Sequence, residues 1–346
     1  MINMSPEEFK KQISSDSKES TGVLLVQLGT PENSSIPAVK SFIKELLSDP
    51  FMIPNKPAFW SLILNNIILP KHGKKSAKTY EWFFEKYGRT IINTTNSLTE
   101  KLYQNLSATT PFVVIRSAMR YGNPNITSVL DEMINKQGIQ KILIIPLFPQ
   151  YSHTTTGSIQ DVIKKYLKTL QTKPKARFIG SFCSHELYIN TLSSMITTYL
   201  TSLDQQPERL LLSYHGLPVS HIKKGDPYEN MCLTTSNLIK EQLSFPHKHV
   251  LTSYQSRFGK EEWLTPYTQD LIIKLANDGI KRLAVCTPSF TIDCVETLHE
   301  IGKTYKELFI MNGGERLDLM PCLNDQEAWV IALSNLIKEE SAKIPK

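Results

Sequence analysis

Two stretches of the chain share one pattern of apolar positions. Residues 22–32 read GVLLVQLGTPE and residues 209–219 read RLLLSYHGLPV. Each is a short apolar run closed by a glycine and a proline, the mark of a buried strand entering a loop. Each also opens the same series. After the first come PFVVIRSAMRYGNP, a helical stretch, and QGIQKILIIPLFPQYSHTTTGSIQDVIKKY; after the second come KHVLTSYQSRFGKE, a helical stretch, and DGIKRLAVCTPSFTIDCVETLHEIGKTY. The triplets Arg120-Tyr121-Gly122 and Arg257-Phe258-Gly259 match, as do the turns Gly138-Ile139 and Gly279-Ile280. Strands alternating with helices need crossover connections and therefore form parallel sheets. The repeated series predicts an α/β protein of two similar Rossmann-like domains, 22–178 and 179–325, each a parallel sheet flanked by helices, with a cleft between them. The stretch DQEAWVIALSNLIKEE has apolar residues at helical spacing and predicts a closing helix in 326–346.

Open parallel sheets bind ligands beyond the carboxyl ends of their strands. That rule puts Gln27 to Pro31, Met119 to Asn123, 146–157, His215 to Pro218, and Pro288 to Glu296 at the cleft. No G-x-G-x-x-G and no G-x-x-x-x-G-K-[ST] follows a strand, which removes the usual nucleotide reading. His215 either presents a reactive imidazole at the sheet rim or only terminates its strand by bonding to backbone. The acids in SFTIDCVETLHEIG pose a similar choice. If a helix starts here, Asp293, Glu296 and Glu300 share one stripe, and three close carboxylates suit a track for protons or cations. Equally, Asp293 as N-cap with Glu296 three residues on has the form of a capping box.

Composition narrows the class. At 346 residues, 40% hydrophobic and 21% charged, the chain is of globular type. The net charge of +6 is spread along the sequence apart from Lys71, Lys74, Lys75 and Lys78, so no nucleic-acid face is expected. Five cysteines, odd in number and never spaced C-x-x-C, argue against a zinc site or a disulfide framework and for a reducing, cytoplasmic setting. The first twenty residues lack a signal-peptide core, and FWSLILNNIILP at 59–70 is too short to span a bilayer.

The motifs in combination carry more than any one alone. LLLSYHGLPVSHIKKGDPY closely resembles the signature of the ferrochelatases, the terminal enzymes of haem synthesis. LVQLGTPE, LSDPFMI, MRYGNP, PLFPQYSHTTTG, YQSRFGKEEWLTP and SFTIDCVETLHEIG resemble further family motifs in the family's order, over roughly residues 22–325. The resemblance, to the bacterial protoporphyrin type, implies insertion of Fe2+ into protoporphyrin IX with release of two protons. It implies His215 and Glu296 at the metal-insertion site, as proton acceptor or iron ligand; Asp293 and Glu300 along an acidic path; and Trp263 and Phe290 as walls of the macrocycle pocket. Arg120 and Tyr121 fall where the family contacts a propionate or the opposite ring face. Leu28 stands at an apolar position of the protoporphyrin-type enzymes, where the coproporphyrin branch has tyrosine. Animal relatives hold an iron–sulfur cluster through an upstream cysteine and a cysteine-rich tail; here His153 stands upstream and no cysteine follows Cys322, so no cluster and no permanently bound cofactor is expected. Many relatives read G-G-S-P where this chain reads YGRTIINTT, so substrate contacts do not transfer to that stretch.

Phe51, Met52, Ile53, Phe59, Trp60, Leu62 and Ile63, followed by Lys71, Lys74 and Lys75, suggest an apolar lip with a basic flank for peripheral contact with the inner membrane; a core helix with an exposed basic end is the other reading. No obligate protein partner is evident. The alternatives left standing are a coproporphyrin III ferrochelatase, a cobalt or sirohydrochlorin chelatase, and a non-catalytic tetrapyrrole carrier.

Overall fold

The computed structural model describes residues 21–53, 56–108 and 113–345. The stretch 1–20, read above as lacking a targeting signal, lies outside the described residues. So do Pro54 and Asn55 of the lip stretch, Pro111 and Phe112 before the second strand, and Lys346. Eight strands are found among the described residues: β1 Thr21–Gln27, β2 Val113–Met119, β3 Lys141–Pro146, β4 Lys175–Phe178, β5 Arg209–His215, β6 Val250–Gln255, β7 Arg282–Cys286 and β8 Arg316–Leu319. They form two four-stranded parallel sheets with the same order, β2-β1-β3-β4 and β6-β5-β7-β8. The duplicated sequence pattern is thus a duplicated topology. In each sheet the long apolar run is the inner strand β1 or β5, covered on both faces, which is why it reads as unbroken rather than alternating. Equivalent ends face the cleft: β1 stops with Gln27 opposite Met119, and β5 stops with His215 opposite Gln255.

The halves share a core. Val23 and Leu25 of β1 and Leu210 and Leu212 of β5 belong to one buried cluster with Trp329, Leu333 and Leu336. The closing helix Glu327–Ser341 packs against Thr90–Ser107 from the first half and against Glu186–Ser202, so the chain's last helix returns to where it began. Separate clusters cover the outer faces, around Leu24 and Ile159 on one sheet and Leu211 and Phe309 on the other.

Buried polar side chains stitch the base of the cleft. Thr291 Oγ1, beyond β7, donates to the Leu147 carbonyl beyond β3 at 2.9 Å, and Gln27 Nε2 donates to Thr291 Oγ1 at 3.3 Å. Gln150 Nε2 donates to Thr235 Oγ1 at 3.0 Å. The carboxylate of Asp226 accepts from Ser152 Oγ at 2.8 Å and from the His153 amide at 2.7 Å. Each bond joins the first half to the second and satisfies polar groups that are buried at the seam.

Trp329 is 1% exposed and packs on the Phe182 and Tyr188 rings, with centroids 6.0 and 6.2 Å away. Trp329→Ala should cost about 3–5 kcal/mol, the usual loss for a large aromatic removed from a core. Urea unfolding should show it as a lowered midpoint, and an unchanged midpoint would contradict the shared core.

Candidate active site

A cavity of about 590 Å³ opens between the two rows of strand ends. His215, the last residue of β5, lines it. Its amide donates to Ser289 Oγ at 3.0 Å, and its Nδ1 lies 2.7 Å from the Gly216 carbonyl oxygen. A carbonyl can only accept, so this contact assigns the ring proton to Nδ1 and leaves a lone pair on Nε2. Gly216 is required by what surrounds it. A Cβ there would stand 2.7 Å from the Gln255 carbonyl oxygen and 3.0 Å from Trp263 Cε3, so only glycine lets the indole lie against the strand end. Trp263 and Phe290 flank the imidazole, with ring centroids 6.5 and 6.2 Å from it.

The three acids do not form one stripe. The helix is Val295–Tyr305, of π type, and it begins after Asp293. Its N-cap is Cys294, boxed with Thr297, in place of the Asp293 and Glu296 box considered from sequence. Of the three acids, Glu296 alone lines the cavity. Its main-chain carbonyl is fixed by Gln255 Nε2 at 2.8 Å. Burial, and then the Glu296 charge and a hydrogen bond to it, push the Cys294 thiol far up, so the thiol stays protonated beside the carboxylate. Glu300 stands behind, held by the Ser256 amide at 2.9 Å, by Ser256 Oγ, and by Tyr305 Oη at 2.6 Å. Asp293 lies outside the helix and is buried, accepting from Thr297 Oγ1 at 2.9 Å, Asn324 Nδ2 at 2.7 Å and the Cys322 amide at 3.2 Å. Its carboxylate has local partners for both oxygens and braces the start of the helix.

The first half supplies an apolar wall: Leu28, Ile43, Leu46, Met52, Ile53 and Ile68 among others. Leu28 lies at the end of β1, as the strand-end rule expects. The stretch Met119 to Asn123 departs from it and lines no part of the cavity. Arg120 and Tyr121 turn instead to Asp49, whose carboxylate also accepts from Ser158 Oγ. Tyr121 is fully buried and Arg120 pairs with a side chain that is 1% exposed. Their pull comes from Asp49: a buried carboxylate must be paired, and these are the donors within reach. The structure therefore engages Arg120 with Asp49 and Ser158 instead of presenting it to the cavity.

The lip begins as the helix Trp60–Ile63, widens through a π turn Leu64–Ile68, and runs on as the helix Leu69–Tyr87. Phe59, Leu62 and Ile67 are 59%, 65% and 61% exposed, while Leu64 is buried. At its far end the lip helix meets the π-helix. Trp82 stacks edge-on with His299 at 4.9 Å, and Lys303 Nζ lies 4.5 Å from the indole centroid. Sequence reasoning did not single out Asp49, Cys294 or Asp226, nor the cavity residues Lys224 and Lys260. The KKGDPY end of the histidine motif was the one available pointer to Asp226 and Lys224.

Solved structures with this architecture define the class. SirB from Bacillus subtilis, solved with Fe3+, has a TM-score of 0.55 at 13% identity, covering 94% of this chain and 96% of that one. DR2241 from Deinococcus radiodurans, described as similar to chelatases with two additional domains, has a TM-score of 0.50 at 9% identity, covering 95% of this chain and 56% of that one. At such identities the likeness is one of fold: this is the chelatase architecture of two parallel sheets flanked by helices. Sequence makes it specific. The ferrochelatase family model matches residues 20–341. The ferrochelatase of Rhodopseudomonas palustris strain BisA53 is 40% identical over 324 residues, 93% of each chain, and that of Bradyrhizobium diazoefficiens is 38% identical over 342 residues, 98% of this chain and 99% of its own. The chain belongs to the ferrochelatase family.

Burial alone would raise the Asp49 carboxyl, but hydrogen bonds from Ser158, the Phe51 amide and Tyr121, together with the Arg120 charge, hold it below its ordinary value. A carboxyl lowered in the folded state adds stability that is present above its unfolded pKa, about 3.9, and is lost as pH falls through the folded value. Asp49→Asn should lower stability at pH 7 and flatten its decline between about pH 5 and pH 2. Denaturant titrations at several pH values check this; parallel curves for the two proteins would contradict it.

Proposed function

We propose that this chain inserts Fe2+ into protoporphyrin IX, giving protohaem and two protons, and that His215 and Glu296 are the residues at which the exchange occurs. The observation that carries the reading is the pairing, in one cavity with apolar walls, of an imidazole whose Nε2 is free and a carboxylate held on a rigid helix. A free-base porphyrin is flat and apolar, and two of its four inner nitrogens carry protons. The metal enters only as both protons leave. One Nε2 lone pair can take one proton or one coordination position at a time, so the exchange needs a second acceptor, and Glu296 supplies it. Imidazole and carboxylate both suit Fe2+ as it sheds water. Glu300, directly behind Glu296, continues the acidic path toward Ser256 and Tyr305. Asp293, tied to local donors, supports the helix start.

Trp263 and Phe290 face the macrocycle from beside His215, where aromatic faces stack on a flat ring. Leu28 and the apolar lip favour protoporphyrin, whose carboxylates lie on one edge, over a ring carboxylated on both. No resident cofactor enters this reading, since His153 stands where the animal relatives have their upstream cluster cysteine. Among the described residues no helix is long and apolar enough to cross a membrane. Exposed Phe59, Leu62 and Ile67, followed by Lys71, Lys74, Lys75 and Lys78 on the lip helix, suit peripheral contact with an anionic bilayer surface, from which a poorly soluble porphyrin would be collected.

The test is haem formation from Fe2+ and protoporphyrin IX, followed by absorbance under anaerobic conditions. His215→Ala and Glu296→Gln should each lower kcat by about 100-fold or more, in the range of lost acid–base groups. Wild-type turnover that survives both substitutions would refute the site. A higher kcat/KM with coproporphyrin III would overturn the substrate.

A further inference from the structure

With Arg120 locked on Asp49, the cavity must find other cations for a substrate that carries two carboxylates. Among the described residues lining it, the side chains with a permanent positive charge are Lys224 and Lys260. His72 and His221 line it as well, and burial, followed by the Lys224 charge, lowers the His221 imidazole against the opposing pull of Asp226 and Glu261. Both lysines come from the second half, whereas the wall contributed by residues 28–68 of the first half is apolar throughout. Neither lysine is paired with a carboxylate, although Glu261 stands beside Lys260 in sequence and also lines the cavity.

The backbone that presents them is held firmly. Lys224 belongs to a tight turn in which its amide and that of Asp226 donate to the His221 carbonyl at 3.0 and 3.1 Å. The Asp226 side chain then pins that turn across the cleft to Ser152 and His153, and accepts from the Tyr228 amide at 3.0 Å. Asp226 has no exposed side-chain surface. The loop with Lys260 is fastened by the Val219 amide to the Glu262 carbonyl at 2.9 Å and by the Leu264 amide to the Leu217 carbonyl at 3.0 Å. These bonds, with that of the His221 amide to the Pro218 carbonyl at 2.9 Å, tie the main chain of both lysine segments to His215-Gly216-Leu217-Pro218.

We propose that Lys224 and Lys260 anchor the two carboxylates of the porphyrin and so set which edge of the ring faces outward when its centre lies over His215. The inference rests on the porphyrin reading above and adds its orientation. A ring with carboxylates on a single edge places them against the lysines and its apolar edge against Met52, Ile53 and Ile68. A tetracarboxylate would press two charges into that apolar wall with no cation to meet them.

Both lysines are exposed, so their replacement leaves the fold intact. Binding of protoporphyrin IX and of its dimethyl ester, followed by fluorescence quenching without iron, separates the carboxylate contribution from stacking. For the diacid, Kd should rise about threefold in Lys224→Gln and in Lys260→Gln and about tenfold in the double variant, as for solvent-exposed charge pairs. The paired Lys→Arg variants should restore affinity, and the ester should bind all forms alike. In haem formation the double variant should show the rise in KM with kcat little changed. Wild-type affinity in the double variant, or no preference of the wild type for diacid over diester, would overturn the proposal. Diacid binding that follows the lysines without any iron insertion would leave the anchor standing and remove the chelatase reading instead.

Discussion

The working geometry depends on buried hydrogen bonds that hold two sheet edges face to face. A parallel sheet ends in loops whose polar groups need partners, and here several partners lie on the opposite half: Thr291 on the Leu147 carbonyl, Gln27 on Thr291, Gln150 on Thr235, and Asp226 on Ser152 and His153. Because these groups are buried and paired across the seam, shifting one half against the other inside the folded protein would leave buried donors or acceptors unsatisfied. The two rows of strand ends are therefore held facing one slot.

Within that slot one contact assigns chemistry to a residue. His215 Nδ1 on the Gly216 carbonyl leaves Nε2 as the unengaged nitrogen, and the same glycine admits the Trp263 ring. Position and protonation thus follow from a single turn after β5. The opposite member is set less directly. Glu296 stands at the start of a π-helix, capped by Cys294 and braced by Asp293, with its carbonyl bonded to Gln255 at the end of β6. The strand that supplies Gln255 is the neighbour of the strand that supplies His215, so one sheet register governs both.

The fold was legible in the sequence because parallel strands buried on both faces leave unbroken apolar runs, and because the series recurs with the same triplets and turns. His215, Glu296, Leu28, Trp263 and Phe290 were legible as residues after strands or within family motifs, and the structure gathers them at one cavity. Arg120 and Tyr121 are engaged elsewhere: of the two matching triplets, Tyr121 is fully buried while Phe258 of Arg257-Phe258-Gly259 is 53% exposed. What separates them is Asp49, some seventy residues away in sequence, and no local pattern reports a partner at that distance. The acids around 293 differ from the expected stripe because the helix begins later than the sequence suggests: Cys294 is its N-cap, which leaves Asp293 outside it.

The lip extends this logic from the cavity to the surface. The helix that begins beside exposed Phe59 and Leu62 passes the cavity at His72 and Ser76 and ends with Trp82 packed on His299 and Lys303 of the π-helix. Burial, followed by the Glu296 charge and then by Cys294, pushes the Tyr80 phenol, on the same helix, well up. One continuous element therefore touches the outer surface, the ligand slot and the helix that carries Glu296. An indole wedged between an imidazole and an ammonium group resists sliding, since both contacts depend on the orientation of its ring. The lip helix is for that reason fastened to the helix that carries Glu296 as well as forming part of the cavity wall.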